Sequence, residues 1–469
     1  MLHVRPAANG LPPDGFPNLG QTSPDGAHPA KMGSEKDPVS HCIRQESAGP
    51  EHGTGSFSPD GPAQMGLNAR VLGNTSTNHR SALVVLLAMI VAGMGQSFVF
   101  AVLPPVGRAM AISDVQTSLI IATSSVMFVF ATPVWGRIIE AWGRRPAIAF
   151  GLAAFGVMTA LFGLVVQLRL GLLISGGSAF VLLVLLRALY AVGSGGILPA
   201  AQAFFADRSP PARRAASMGA IGIAFGLGLV AGPAAGGALV AIGPTAPFYG
   251  ISGLVAIIAI LVTVFLRSTP DRTRAKTRTD QPLAIRRFLP FLAMSALHLT
   301  TVASVQQVTA FRLQDLFGLT TADTAERASV ALITMATAMI VTQLTLVPRI
   351  KHSPIVLVRV GSPMAVVALA VLSLSHSLLL LLIGMAVYGV AIGLIGPGYL
   401  AAASLAAGAH QQGRIAGLLT AAQAAGMVVG PPVATALYQI YPVMPFWMGM
   451  LLTAGVGLIA FLRRAVGRG

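Results

Sequence analysis

From Ser81 onward the chain is a succession of apolar runs of about 20 residues, and no other feature restricts its fold so strongly. An α-helix rises about 1.5 Å per residue, so such a run crosses a hydrocarbon core of about 30 Å. Twelve runs are read, at 81–104, 115–135, 146–167, 178–202, 215–242, 245–267, 288–311, 328–348, 354–375, 377–405, 413–438 and 443–462. None alternates polar and apolar residues as a barrel strand does, and lipid offers no partner to an unpaired backbone group, so the spanning elements are helices. The expected fold is therefore all-α, an integral membrane protein of twelve transmembrane helices. Only 10% of the residues are charged, against roughly a quarter in soluble domains.

The net charge of +16 reads as a topology signal and not as a nucleic-acid surface, because of where the charges lie. With a cytosolic N-terminus, the inner loops hold Arg137, Arg144, Arg145, Arg208, Arg213, Arg214, a cluster from Arg267 to Arg287, Arg349, Lys351, Arg359, Arg414, Arg463 and Arg464. The outer loops hold only Arg108, Arg169, Arg312 and Arg327. This asymmetry follows the positive-inside rule and puts both termini in the cytosol. Arginine far outnumbers lysine, and Ala and Gly abound; we read a GC-rich bacterial genome and a bacterial inner membrane. Residues 1–80 are rich in Gly, Pro, Ser, Asp and Asn and show no secretory signal, so a disordered cytoplasmic tail is expected. Met65 is an alternative start, and in a cytosolic tail the sequon at Asn74 has no meaning. The single cysteine, Cys42, excludes an internal disulfide and a cysteine metal cluster.

Sliding the chain on itself by 198 residues pairs Tyr190 with Tyr388, Gly195 with Gly393, Pro199 with Pro397, Gly219 with Gly417 and Gly228 with Gly426. It also pairs Gly232-Pro233 with Gly430-Pro431 and Pro247-Phe248 with Pro445-Phe446. Runs four to six thus repeat as runs ten to twelve in the same orientation. The expected domains are a six-helix half at 81–267, a charged cytoplasmic linker at 268–287 and a second six-helix half at 288–469. Parallel halves with a midplane site between them are one architecture of secondary transporters.

The fifth run carries Gly219, Gly228, Gly232, Pro233, Gly236 and Gly237 in the spacing G-x8-G-x3-G-P-x2-G-G. Gly228, Gly232 and Gly236 are four apart and share one helix face. A ridge without side chains lets another helix backbone come close, the way helices associate in lipid, and Pro233 removes a backbone hydrogen bond and bends the helix. This pattern resembles the antiporter motif of the major facilitator superfamily, in its twelve-helix drug:proton antiporter branch, which includes the tetracycline exporters. The eleventh run keeps Gly417, Gly426, Gly430 and Pro431 but ends in Ala434-Thr435, a degenerate copy.

Two further motifs carry the resemblance. "GRIIEAWGRRP", Gly136 to Pro146, is similar to the superfamily's loop between helices 2 and 3. The resemblance implies that Gly136, Glu140, Gly143, Arg144 and Arg145 latch the cytosolic ends of the halves in the outward-facing state. Glu140 stands where the family has Asp, and Ala141 where it has a basic residue, so a weaker or differently wired latch is expected. Gly136 and Gly143 are read as permitting the turn. "LLRALYAVGSGG" keeps the arginine of the family's helix 4 motif as Arg187, but Tyr190 and Ala191 replace Gln and Gly. A charge at that depth usually marks function, and the resemblance implies a role in proton transfer; an arginine bonded to backbone carbonyls is the structural alternative. Asp207 is expected to cap a helix or pair with Arg213 or Arg214.

The spans hold no Asp or Glu at their centres, which weakens an organic cation as substrate, since an uncompensated cation is costly in low dielectric. The polar candidates for a substrate cavity are Gln96, Tyr190, Gln306, Gln307, Gln343, Tyr388 and Gln423, and His298 joins Arg187 as a proton-coupling candidate. The resemblance implies a secondary transporter, with alternating access and proton antiport, exporting a small organic molecule as a monomer. A carrier of a polar or anionic metabolite or iron chelator, in either direction, is the alternative within that fold. No H-E-x-x-H and no paired intramembrane carboxylates point to a membrane-embedded enzyme, and no cofactor or metal is expected.

Overall fold

The structure, a computed structural model, describes residues 62–209, 214–266, 285–350, 353–407 and 411–463. Most of the expected tail and linker, with Cys42 and Arg213, lies outside them. The chain divides into two units, residues 1–64 and 65–469, and the second holds the membrane-spanning helices.

Among the described residues, twelve helices are long and apolar enough to span a membrane: α1 (Arg80–Ala109), α2 (Asp114–Trp142), α3 (Arg144–Leu170), α4 (Gly176–Arg208), α5 (Ser217–Val240), α6 (Ala246–Phe265), α7 (Ile285–Phe317), α8 (Thr321–Arg349), α9 (Ile355–Leu374), α10 (Leu378–Ala406), α11 (Arg414–Ile440) and α12 (Met444–Leu462). The helix that contains α1 is continuous from Pro62. Its backbone is thus helical where a disordered tail to residue 80 was expected; Ala63, Met65 and Leu67 are residue types that favour a helix.

Each half packs on itself before it meets the other. In the first, α3 lies against α4 and α6, and α2 against α4; in the second, α7 lies against α11 and α12, and α10 against α8 and α9. The halves meet where α2 runs along α11 and α5 along α8. Many spanning hydroxyls are satisfied within their own helix. Thr123, Thr132, Thr300, Thr301 and Thr309 each donate to the carbonyl four residues back.

Two helices break where their runs read as continuous. The helix of α4 stops at Ser194 and resumes at Ile197, because the α2 indole of Trp135 wedges against the Gly195-Gly196 pair. A Cβ at Gly196 would fall 2.5 Å from Trp135 Cδ2, and the indole Nε1 donates to the Val192 carbonyl at 2.6 Å. The α-helical part of α8 ends at Val341 and gives way to a π turn, Thr342–Leu346, a device often found at functional sites.

Candidate functional site

The glycine face of α5 is packed on α1. A Cβ at Gly228 would fall on the Ile90 carbonyl oxygen and 2.9 Å from Gly93 Cα, one at Gly232 on Ser97 Oγ and 2.7 Å from the Met94 carbonyl, and one at Gly236 2.9 Å from Val102 Cγ2. The next residue looks across the halves: a Cβ at Gly237 would lie 2.8 Å from Ser329 Cβ of α8. In the second half, Gly426 and Gly430 of α11 approach α7 in the same way, 2.8 Å from Thr300 N and 2.6 Å from its carbonyl. Ser97 Oγ donates to the Gly228 carbonyl and Ser304 Oγ to that of Gly430, at 3.4 and 3.1 Å. The repeat is therefore a repeat of contacts.

Between these helix pairs lies a cavity of about 700 Å³. Gln96, Ser97 and Phe100 of α1 and Phe225, Leu229 and Pro233 of α5 form the first half's wall. The second half contributes His298 and Gln306 from α7, Met335, Met339 and Gln343 from α8, Tyr399 from α10 and Thr420, Gln423 and Met427 from α11. The wall is therefore mostly apolar on both sides, with Gln96 from the first half and Gln306, Gln343 and Gln423 from the second as its amides. Gln423 Nε2 donates to Tyr399 Oη at 2.9 Å, and the Tyr399 ring stands edge-on to the His298 imidazole, centroids 5.8 Å apart. Among the described residues lining it there is no Asp, Glu, Lys or Arg.

At the end away from the basic loops, Arg108, Asp114, Asp315 and Tyr438 of α1, α2, α7 and α11 are joined by ionic and hydrogen bonds. At the basic end, Cβ atoms at Gly136, Gly219, Gly222 and Gly417 would meet nothing within 4 Å.

The structure places four of the seven amide and phenol candidates, Gln96, Gln306, Gln343 and Gln423, on the cavity wall, with His298. Three lie elsewhere. Gln307 has no exposed surface, and its helix position turns it away from the cavity that its neighbour Gln306 lines. Tyr388 is buried inside the second half. Tyr190 packs edge-on to Phe128 and Phe155 within the first half. Tyr399 and Ser97 were missed: the residue 198 positions before Tyr399 is Ala201, so the repeat drew attention to Tyr388 instead.

Arg187 also lies off the cavity, 6% exposed, in the core of the first half. Its Nη2 donates to Ser124 Oγ at 3.0 Å, and its guanidinium stacks 4.7 Å over Tyr190. A void of about 10 Å³ lies beside it, room for about one water. In the motif between α2 and α3, Gly136 is an interior residue of α2, and the turn is made by Gly143 alone, whose φ of 86° suits glycine. Arg144 Nε pairs with Asp207 at 3.0 Å, which ties this loop to the end of α4, and Arg145 donates to the Thr263 carbonyl of α6; the Arg213 and Arg214 side chains expected to pair with Asp207 lie outside the described residues.

Comparison with known proteins agrees with this architecture. The chain is 24% identical over 383 residues to Multidrug resistance protein 1 of Bacillus subtilis (strain 168), covering 80% of this chain and 94% of that one. It is 29% identical to the class B Tetracycline resistance protein of Escherichia coli over 43% of this chain and 47% of that protein. The crystal structure of a D-xylose-proton symporter superposes with a TM-score of 0.65 at 14% identity, over 83% of this chain and 98% of the other. The family model for the Major Facilitator Superfamily matches residues 85–431. With two six-helix halves around one cavity and that match across most of its length, the chain belongs to the Major Facilitator Superfamily, as a multi-pass membrane protein and secondary transporter.

Proposed function

We propose that the protein exports a small, uncharged, amphipathic organic molecule from the cytoplasm of a bacterium in exchange for protons. The observation that carries this reading is the cavity, mostly apolar with four amides on its wall and, among the described residues lining it, no carboxylate, Lys or Arg. A volume of about 700 Å³ suits a drug-sized ligand, typically held in about 300–1,000 Å³. An organic cation entering it would lose its hydration and find no counter-charge, whereas Gln306, Gln343 and Gln423 each offer a donor and an acceptor. An anionic substrate would likewise find no cation, since Arg187 lies outside the cavity and no Lys or Arg is among the described residues lining it. Resistance proteins among the relatives support export, and the basic loops support cytoplasmic termini, in the inner membrane. Each chain encloses its own cavity, which supports action as a monomer.

The test compares compounds that share a scaffold but differ in charge. In everted vesicles energised with an acid interior, neutral members should accumulate and their quaternary ammonium counterparts should not. Equal transport of the permanent cation would overturn the substrate assignment.

Arg187 we assign a positioning role, holding α4 against α2 beside the α4 break. A buried guanidinium at membrane depth costs about 3 kcal/mol on insertion scales, and a hydroxyl and a ring compensate it poorly. Ser124 Oγ already donates to the Ile121 carbonyl, so removing the arginine leaves it satisfied. Arg187→Met should therefore raise the thermal midpoint of the purified protein while slowing proton-driven transport at least tenfold. A lower midpoint would mean that the arginine serves stability.

A further inference from the structure

The bonds at the end away from the basic loops centre on one arginine. Arg108 sits on the last turn of α1, and its Nε and Nη2 donate to the two carboxylate oxygens of Asp114, both at 2.8 Å. That pair lies within the first half, at the start of α2, where Asp114 follows the N-cap Ser113. The same guanidinium reaches across to the last turns of α7, where Nη2 donates to Asp315 Oδ2 at 3.1 Å, Nη1 to Asp315 Oδ1, and Nη1 to Gln314 Oε1 at 3.3 Å. Tyr438 of α11 donates to Asp315 Oδ2 at 2.8 Å, fixing the carboxylate from the second half's side. Arg108 also lies over the Phe311 ring of α7, 4.8 Å from its centroid.

We propose that Arg108 and Asp315 form the lock of the outer gate, and that making and breaking this pair sets the balance between inward-open and outward-open states. Both partners are positioned within their own half before they meet: Asp114 orients the guanidinium, and Tyr438 orients the carboxylate. Two separately held groups then bind face to face in a bidentate pair, so little side-chain freedom is lost when the halves close. The pair cannot persist when the ends of α1 and α7 part. Arg108 is 23% and Asp315 45% exposed, so the lock is partly screened and can be broken in each cycle. The residues lie away from the cavity wall, so they act on transport through the gate and not through substrate contact.

The test uses spin labels on the two outer rims, at Leu172 after α3 and Leu379 at the start of α10, both strongly exposed and in opposite halves. L172C/L379C is introduced with C42S, and the distance distribution is measured in nanodiscs by double electron–electron resonance. Arg108→Gln and Asp315→Asn should each raise the long-distance, outer-open population about fivefold, the ratio that about 1 kcal/mol supplies. The double variant should match either single variant, as two members of one interaction require, and Asp315→Glu should keep most of the closed population. Asp114→Asn should give a smaller shift, because it loosens the arginine without removing the cross-half bond. Thermal unfolding monitors folding in each case. Unchanged distances in folded R108Q and D315N, or additive shifts in the double variant, would overturn the lock. Because the readout needs no substrate, it stands apart from the export assignment.

Discussion

Gly228→Ala should abolish transport and lower the unfolding temperature of the purified protein, while Gly219→Ala should leave that temperature unchanged or slightly higher. Both residues belong to one sequence motif, and both lie in helical backbone. What separates them is the neighbour: a methyl at Gly228 would occupy the position of the Ile90 carbonyl oxygen and approach Gly93 Cα to 2.9 Å, whereas one at Gly219 meets nothing within 4 Å. The Ile90 carbonyl is backbone and cannot rotate aside, so α1 and α5 must move apart. Overpacking of this kind costs about 1–3 kcal/mol, and here it also breaks the Ser97 bond to the Gly228 carbonyl. At Gly219 the only intrinsic change is the better helix propensity of Ala, worth about 0.5–1 kcal/mol in favour. Immunoblotting of membranes establishes that both variants insert, and differential scanning fluorimetry reads the midpoints. Equal midpoints for the two variants would remove the close helix crossing from the account of this motif. Gly232→Ala should fall between them, because the Ser97 hydroxyl it meets first can turn away and the backbone it then meets, the Met94 carbonyl at 2.7 Å, is less closely approached than the Ile90 carbonyl is at Gly228.

The features legible in the sequence were those that lipid or close packing imposes on single helices. A run of about 20 apolar residues has one meaning at membrane thickness, and glycines four apart share a face whatever they face. Which helix they face is not local information, and the sequence did not show that Gly237, one residue past the stripe, turns to Ser329 of the other half. The α4 break depends on Trp135, whose indole binds a carbonyl 57 positions away. The outer lock joins Arg108 to a carboxylate 207 positions on; both stood as ordinary charges near the ends of spans, because nothing in a one-dimensional pattern pairs them. Gln306 and Gln307 make the limit plain. Adjacent residues on a helix point about 100° apart, so of two glutamines equal in the sequence only Gln306 lines the cavity.

His298→Gln should separate proton coupling from substrate movement. Of the two candidates for coupling, Arg187 is enclosed in the first half, while His298 lines the cavity. A coupling group must be reached by protons and by the substrate's site in turn, and among the described residues lining the cavity His298 is the one imidazole, a side chain that can take up and release a proton at its ring nitrogens. Its ring stands against Tyr399, which Gln423 holds through a hydrogen bond, so a change of charge on the imidazole bears directly on groups of the proposed substrate wall. Glutamine preserves hydrogen bonding and approximate size but does not titrate. In proteoliposomes, His298→Gln should exchange substrate across the membrane at close to the normal rate when substrate is present on both sides. It should lose accumulation driven by an imposed pH gradient by about tenfold or more, the scale of a removed proton-transfer group. If the variant still accumulates substrate against its gradient as the unaltered protein does, the proton is carried elsewhere. Loss of exchange and accumulation together would instead make His298 a substrate-binding residue, because exchange requires the cavity to load and empty but requires no net movement of protons.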